Sequence, residues 1–233
     1  MSEIRRDQVH RTFAAHPVFD VLDPAPRDAL FSYGVTKRYG TGQTIFERGD
    51  AGDSMMLVLS GRVRIGNVQP NGKEAIICFV EPGDLLGEVA LLDGKPRSAD
   101  AVAIEPSELF VLYRRELSSV LRANPAVTVR LVEVLCERLR RLTTMHEEVM
   151  CLESRPRIAR AVLRLAEEHG KPCARGVAIS LKMSQHVLAG CVGLSREVVN
   201  RQLGEWRQDG LIETPTGGIL ILQPLRLQAV ADL

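Results

Sequence analysis

The clearest alternation of apolar and polar positions in this 233-residue chain runs from Ala126 to Leu152. Apolar side chains and one histidine recur there at alternating spacings of three and four residues: Val132, Leu135, Leu139, Leu142, His146 and Val149. This spacing is typical of one long helix that packs an a/d seam against a copy of itself. A core helix inside a monomer also fits one apolar stripe, but the nearly continuous charge on the other faces favours a symmetric dimer.

The pattern before this helix predicts two short helices and then a β domain. The helices are expected at 7–15 and 24–33, and Asp23 is placed to cap the second. Short runs of β-forming residues separated by turns follow, at Thr44–Phe46, Met55–Leu59, Arg62–Val68, Glu74–Val80, Asp100–Ala103 and Leu109–Leu112. Asn71-Gly72 lies between two of these runs and predicts a type I′ hairpin turn. Closely spaced strands of this kind indicate a sandwich or barrel, with the two helices as a lid.

The helical pattern breaks after the long helix, at Arg155-Pro156. Proline removes an amide donor, and its ring clashes with the preceding turn. An amphipathic pattern resumes and reaches about His169, and a polar connection follows through Gly176. We interpret the break as a hinge between the long helix and the rest of the chain.

Two short helices and a hairpin complete the chain. Ser184 precedes the first helical pattern, and Ser195 precedes the second, which reaches about Asp209; serine is favoured as the N-cap of a helix. Two helices joined by a glycine-containing turn are typical of a helix-turn-helix. Leu211–Glu213 and Ile219–Leu222 are expected to pair beside it, so the pattern predicts a winged helix-turn-helix.

Composition narrows the class of protein. A hydrophobic content of 45% with 25% charged residues is ordinary for a soluble globular chain. No segment approaches the roughly 18 apolar residues of a membrane span, and no signal-length apolar run opens the chain, so we expect a cytoplasmic protein. The five cysteines lie at least 15 positions apart. That spacing leaves no clustered ligand set for zinc or an iron–sulfur centre, and no metal site is expected.

Charge is distributed unevenly along the chain. The residues up to Glu153 carry 19 basic and 22 acidic side chains, whereas the residues after it carry 11 and 7. The two parts therefore have net charges of −3 and +4 at neutral pH. A polyanionic partner such as DNA would contact the C-terminal part.

One glycine-containing stretch between the strand runs is the strongest candidate for a ligand site. Gly87 permits a close backbone approach, and a short helix that begins near Val89 would direct free amides at an anion. Arg97 offers a planar fork for phosphate, and Ser98 adds a hydroxyl donor. Glu88 would then accept a hydrogen bond from a ribose hydroxyl.

This stretch resembles the phosphate-binding cassette of cyclic-nucleotide-binding domains, with Gly-Glu-Val-Ala-Leu at 87–91 and Pro-Arg-Ser-Ala at 96–99. Nearly the whole chain resembles the CRP/FNR family of transcription regulators. The resemblance implies that Glu88 holds the ribose and that Arg97 with Ser98 holds the cyclic phosphate of cAMP. Cyclic GMP is the alternative nucleotide.

The cAMP-binding members of that family place a Thr/Ser pair of the long helix against the adenine, one residue from each subunit. Thr143 and Thr144 follow Arg-Arg-Leu as that pair does, so the resemblance implies this role for them. The spacing from the pair to Arg157 is one residue shorter than in those members. Two solvated helix hydroxyls are the alternative interpretation.

Other effectors of the family place different demands on the sequence. The iron–sulfur branch needs a clustered N-terminal cysteine set, which is absent, so an oxygen sensor of that kind is excluded. A haem-binding member would need an axial ligand, and His146 is the candidate. A polar residue within a helix seam more often sets register and oligomeric state.

The second helix of the helix-turn-helix carries the candidate residues for reading DNA. Its first turns would enter the major groove, where arginine binds guanine and glutamate accepts from cytosine. The segment Ser-Arg-Glu-x-x-x-Arg at 195–201 resembles the family's recognition helix. The predicted DNA-binding set is Ser184, Ser195, Arg196, Glu197, Asn200 and Arg201.

These observations predict an α+β protein with three parts: a β-barrel or jelly-roll cyclic-nucleotide-binding domain at 1–124, a dimerisation helix at 125–153 and a winged helix-turn-helix at 154–233. The function expected is a cAMP-responsive homodimer on palindromic double-stranded DNA, with RNA polymerase as a further partner and no catalysis. A relative with another effector or none is the second hypothesis. A regulatory subunit that binds protein is the third. The expected nucleotide-binding set is Gly87, Glu88, Val89, Arg97, Ser98, Thr143 and Thr144.

Overall fold

A computed structural model describes residues 3–68, 74–179, 184–215 and 218–233 of the chain. It forms two compact units whose main boundary lies inside the long helix, between Arg141 and Leu142. Within the described residues, no helix is both long and apolar enough to cross a membrane. The predicted turn at Asn71-Gly72 lies outside the described residues.

The first unit begins with two helices and continues with eight described strands, and a short helix lies between the sixth and the seventh. These elements are α1 (Glu3–Ala14), α2 (Pro24–Tyr33), β1 (Val35–Tyr39), β2 (Thr44–Phe46), β3 (Ser54–Ser60), β4 (Val63–Val68), β5 (Glu74–Val80), β6 (Leu85–Leu86), α3 (Glu88–Asp93), β7 (Asp100–Ala103) and β8 (Ser107–Tyr113). Two helices follow, α4 (Arg114–Ala123) and α5 (Pro125–Cys151), and α5 continues into the second unit.

The strands form two four-stranded sheets, in the orders β1-β8-β3-β6 and β2-β7-β4-β5. Val58 and Leu109 of the first sheet share one buried cluster with Val63 and Ala101 of the second. The sandwich prediction is therefore confirmed, but among the described strands the two sheets do not close into a barrel. Two of the four edge strands, β6 and β2, have only two and three residues, so they offer few backbone groups for pairing with another strand.

Helices α1 and α2 cover the first sheet, as the predicted lid. The ring of Phe13 stacks on Phe19 with centroids 4.2 Å apart, and Phe31 stacks on Phe110 of β8 at 5.0 Å. Asp23 occupies the N-cap position of α2, but its side chain makes no capping hydrogen bond there. The predicted N-cap position of Asp23 is therefore confirmed without a side-chain cap, and proline at the start of α2 supplies the helical φ.

Helix α5 has two different faces. Leu131 is fully buried in the core beneath the sheet. The predicted seam residues other than the half-buried Leu135 are exposed in the single chain, with Leu139 at 64% and Val132 at 49%. A large part of the apolar surface of α5 is therefore available for another copy.

The second unit is an assembly of short helices on a four-stranded sheet. Its elements after α5 are α6 (Ser154–His169), β9 (Gly170–Cys173), β10 (Gly176–Ile179), α7 (Gln185–Val192), α8 (Arg196–Gln208), β11 (Ile212–Glu213), β12 (Ile219–Ile221) and α9 (Pro224–Ala231). The sheet order is β11-β12-β10-β9. The predicted hairpin beside the helix-turn-helix is confirmed by the antiparallel β11–β12 pair. The polar connection through Gly176 forms the β9–β10 hairpin, which the sequence pattern did not predict.

The break after α5 does not lie at the proline. It occupies residues 152–153, and Pro156 lies in the first turn of α6, where a backbone amide has no intrahelical acceptor to lose. The connection is held by charged side chains of α6. Arg157 Nη1 donates to the carbonyl oxygen of Val149 at 3.1 Å, and Arg164 Nη1 lies 3.0 Å from Oε1 of the buried Glu148.

Candidate functional site

The predicted ligand stretch forms a tight backbone turn between β6 and α3. Gly87 has φ of +81°, in the left-handed region that favours glycine. A Cβ atom at this position would lie 2.5 Å from Nη1 of Arg97. Glycine is therefore required twice at position 87, once for the turn and once for the close approach of the arginine.

Arg97 is buried, and protein groups hold its guanidinium on several sides. Nη1 donates to the carbonyl oxygen of Gly87 at 2.8 Å, and Nη2 donates to Ser54 Oγ at 2.9 Å. The guanidinium also lies over the ring of Phe46, 4.3 Å from its centroid. Burial lowers the pKa of Arg97, and the nearby Asp53 carboxylate opposes that shift. Arginine stays charged even so, so this side chain is a fixed positive charge in a largely dry setting.

Glu88 is the second buried charge of the site and forms an ion pair with a residue of α5. Arg138 Nη1 donates to Glu88 Oε1, while Arg138 Nη2 donates to the carbonyl oxygen of Leu85. Sequence reasoning placed Arg138 only on the charged flank of the helix seam. The pairing joins residues 50 positions apart, and nothing in the local pattern indicates it.

Two polar atoms of this site are buried and have no hydrogen-bond partner among the described residues. They are Oε2 of Glu88 and Nε of Arg97. Buried polar groups are nearly always partnered, so such atoms indicate a place for a ligand. The carboxylate oxygen would accept from a hydroxyl group, and the guanidinium nitrogen would donate to an anionic oxygen.

The other predicted nucleotide-binding residues are placed differently. Val89 and Ser98 are exposed, whereas Gly87, Glu88 and Arg97 lie together. Thr143 and Thr144 are exposed side chains on the part of α5 that belongs to the second unit. Their contact with a nucleotide base stays a prediction.

The helix-turn-helix has the two serine caps that the sequence predicted. Ser184 Oγ accepts from the backbone amide of Val187 at 3.2 Å, and Ser195 Oγ accepts from that of Val198 at 3.4 Å. Each hydroxyl satisfies one of the free amides in the first turn of its helix. The caps therefore fix where α7 and α8 begin.

Helix α8 separates a buried face from an exposed one. Its buried residues are Val199, Gln202, Leu203 and Trp206. Its exposed face includes four residues of the predicted DNA-binding set, Arg196, Glu197, Asn200 and Arg201. Gln185 Nε2 of α7 donates to Asn200 Oδ1 at 2.9 Å, which connects the two helices at this surface.

Glu197 is held as an ionised acceptor at the start of α8. The pKa of Glu197 is lowered mainly by a hydrogen bond from its own backbone amide. A hydrogen bond from the Ser195 hydroxyl lowers this pKa further. An ionised carboxylate can accept from a cytosine amino group. This surface therefore offers one acceptor together with the donors of Arg196 and Arg201.

Comparison with known proteins identifies both parts. Residues 36–124 match the family model of the cyclic nucleotide-binding domain, and residues 156–230 match that of the Crp-like helix-turn-helix domain. A solved structure of a CRP-family transcriptional regulator from Thermus thermophilus is 27% identical, with a TM-score of 0.72. The match covers 84% of this chain and 97% of that one.

Two curated relatives extend this similarity over most of the chain. The global nitrogen regulator of a Nostoc species is 28% identical over 83% of this chain and 87% of its own. The cyclic AMP receptor protein of Thermus thermophilus is 33% identical over 92% of this chain and 96% of its own. With a cyclic nucleotide-binding domain followed by a Crp-like helix-turn-helix domain, this chain belongs to the CRP/FNR family of transcription regulators.

Proposed function

We propose that this family member is a cAMP-responsive regulator that binds palindromic DNA as a homodimer. The observation that carries the proposal is the pair of unpartnered buried atoms, Glu88 Oε2 and Arg97 Nε. A cyclic nucleotide has both complementary groups, because its ribose 2′-hydroxyl donates and its cyclic phosphate is an anion. The hydroxyl would bind Glu88 and the phosphate would bind Arg97, with Ser98 as a further donor.

The exposed seam of α5 supports a parallel homodimer. In heptad terms Val132 and Leu139 occupy a positions, so Arg138 occupies g and Thr143 occupies e. In a parallel pair, a g residue lies beside the e residue five positions further along the other helix. Thr143 of the partner subunit would therefore lie beside Arg138, next to the Glu88 carboxylate.

A second candidate function is a regulator of the same kind with an effector other than cAMP. The face of α5 that carries Arg138 beside Glu88 is the face that would meet the base of a bound nucleotide. An α-helix turns about 100° per residue, so the next side chain of the same subunit on this face is Leu142. Thr144 is turned away from this face by about 120°. A leucine cannot hydrogen-bond to an adenine amino group. Relatives include global nitrogen regulators as well as a cyclic AMP receptor protein.

The DNA site expected for this dimer is an inverted repeat with half-sites centred about 34 Å apart, one helical turn. Each half-site would resemble the family's TGTGA, with Arg196 and Arg201 on guanines and Glu197 on a cytosine. RNA polymerase is the expected protein partner, and the location expected is the cytoplasm.

The remaining hypothesis is a regulatory subunit that binds protein through its C-terminal part. Filter binding with random DNA tests it, because such a subunit would retain no DNA.

Calorimetry of nucleotide-stripped protein against cAMP and cGMP tests the proposal directly. We expect one cAMP bound per chain and a dimer in sedimentation velocity. Protein that binds DNA but neither nucleotide would favour the second candidate. A monomer with and without cAMP would contradict the dimer.

A further inference from the structure

Arg114 is the first residue of α4, and its contacts join three separate segments of the first unit. Its Nη2 atom donates to the carbonyl oxygen of Ala90 in α3 and to that of Gly52 at 3.1 Å. Its backbone amide donates to the carbonyl oxygen of Asp53 at 2.7 Å. One side chain and its own amide therefore hold α3 and the 52–53 segment against the start of α4.

The backbone around Arg114 leaves room for this guanidinium and little else. Gly94 ends α3 with φ of +78°, and a Cβ atom there would lie 3.0 Å from Arg114 Nη1. A Cβ atom at Gly52 would lie 2.2 Å from that of Ala90. Glycine at these two positions lets the three segments approach until the arginine reaches both carbonyls.

The charge of Arg114 acts on the nucleotide site as well as on α3. Burial is the main cause of the lowered pKa of Arg97, and the positive charge of Arg114 contributes in the same direction. Two guanidinium groups thus act electrostatically on one site. The Ala90 carbonyl also accepts from the amide of Gly94 at 3.1 Å, so Arg114 supports the last turn of α3 where carbonyl dipoles favour a cation.

We propose that Arg114 is a positioning residue for the nucleotide site. It fixes the orientation of α3, and α3 carries Glu88 at its first position and follows directly on Gly87. Loss of the two-carbonyl contact frees α3 to move, so the groups that would meet the ribose and phosphate are no longer held in place. The inference rests on the proposed function for the identity of the ligand, a cyclic nucleotide.

The chain offers a matched control one residue away. Arg115 also lies in the first turn of α4, but its side chain is 87% exposed and pairs with the adjacent Glu116. Arg114→Gln and Arg115→Gln remove the same charge from neighbouring positions. In calorimetry with cAMP and cGMP, we expect Arg114→Gln to weaken nucleotide binding about tenfold and Arg115→Gln to change it less than about twofold.

Arg114→Lys separates charge from geometry. Lysine keeps the positive charge and several N–H donors, but its nitrogen lies one atom closer to the backbone than Arg114 Nη2, the atom that donates to both carbonyls. We therefore expect an affinity between those of the wild type and Arg114→Gln. Wild-type affinity in Arg114→Gln, or equal losses in the two glutamine variants, would overturn the proposal.

Hydrogen exchange of the ligand-free protein tests the positioning itself. We expect the α3 amides, including those of Leu91 and Gly94, to exchange about tenfold faster in Arg114→Gln than in Arg115→Gln. Unchanged α3 exchange beside weaker nucleotide binding would make Arg114 a source of charge alone and would overturn its positioning role. This readout needs no ligand, so it still decides that role if the wild type binds neither nucleotide and the proposed function fails.

Substitution of Gly94 tests the contacts of Arg114 without changing the arginine itself. Gly94→Ala places a methyl group against the Arg114 guanidinium, whereas Gly83→Ala imposes a similar positive-φ strain with open space around it. We expect Gly94→Ala to speed α3 exchange and weaken cAMP binding several-fold more than Gly83→Ala does. Equal effects of the two alanines would assign the change to backbone strain and contradict a role for Arg114.

Discussion

The two candidate sites of this protein keep their charges in opposite environments. Glu88 and Arg97 are 0% and 4% exposed and are held by other protein groups, whereas Arg196 and Arg201 lie on the open face of α8. A buried charge is costly unless every partner is present, so a few buried groups can select one ligand strongly. Exposed charges cost little to maintain, and they divide the recognition energy among many contacts that depend on salt.

The largest effect is expected from breaking the buried site. Arg97→Leu removes a desolvated charge from the anion, and we expect nucleotide affinity to fall by about 2 to 5 kcal/mol in calorimetry. Ser98→Ala alters the exposed neighbour in the same motif and should cost much less. Circular dichroism of each variant confirms that the domain is folded. Unchanged affinity in Arg97→Leu would remove Arg97 from the site.

The exposed site should respond in specificity more than in total affinity. Arg196→Ala should cost roughly 1 to 3 kcal/mol for the preferred DNA and relax the preference at one base position. Arg207→Ala is the control, because Arg207 lies in the last turn of α8 and its Nη1 donates to Thr214 Oγ1 at 3.2 Å. The measurement is a selection from randomised DNA at one stated salt concentration. Selected sites without an inverted repeat, or an unchanged preference in Arg196→Ala, would contradict the assignment of α8.

A coupling measurement tests whether the two sites act on one equilibrium. If cAMP shifts the protein towards a DNA-binding arrangement, we expect a coupling free energy of about 1 to 3 kcal/mol between the two sites. Operator DNA must then tighten cAMP binding by the same factor by which cAMP tightens DNA binding. Titration of cAMP with and without DNA gives that factor. Equal cAMP affinities would mean that the sites are independent.

The smallest effect concerns a buried histidine away from either site. His16 Nδ1 accepts from the backbone amide of Val18 at 3.1 Å, and burial lowers the pKa of His16 below its ordinary value of 6.5, although Asp84 and Asp20 oppose the shift. Below pH 6.5 the unfolded chain therefore binds more protons here than the folded one. The free energy of unfolding should fall as pH decreases from about 6.5 towards the folded pKa. Urea unfolding at several pH values in this range measures that free energy. We expect it to fall less steeply with decreasing pH in His16→Gln than in the wild type. The same pH dependence in both proteins would contradict a lowered pKa of His16.

Local patterns predicted much of the fold. The bounds of α2, β2, β5 and β7 agree with the sequence runs, and both serine caps of the helix-turn-helix are present. Such features depend on residues within a few positions of one another, where periodicity and capping chemistry act directly. The helix break was predicted at Arg155-Pro156, but it lies at residues 152–153. A proline near a helix start is compatible with the helix, and the sequence does not reveal which turn it occupies.

The sequence by itself determined the order of elements, the cassette motif with Gly87, Glu88 and Arg97, and the charged residues at the start of α8. Only the tertiary structure decided that Arg138 pairs with Glu88 and that Arg114 holds α3. The partners in these contacts are 50 and 24 positions apart. A long flexible cation can reach many acceptors in an extended chain. Its partners are decided only when the sheets and helices pack and bring particular carboxylate and carbonyl oxygens within its reach.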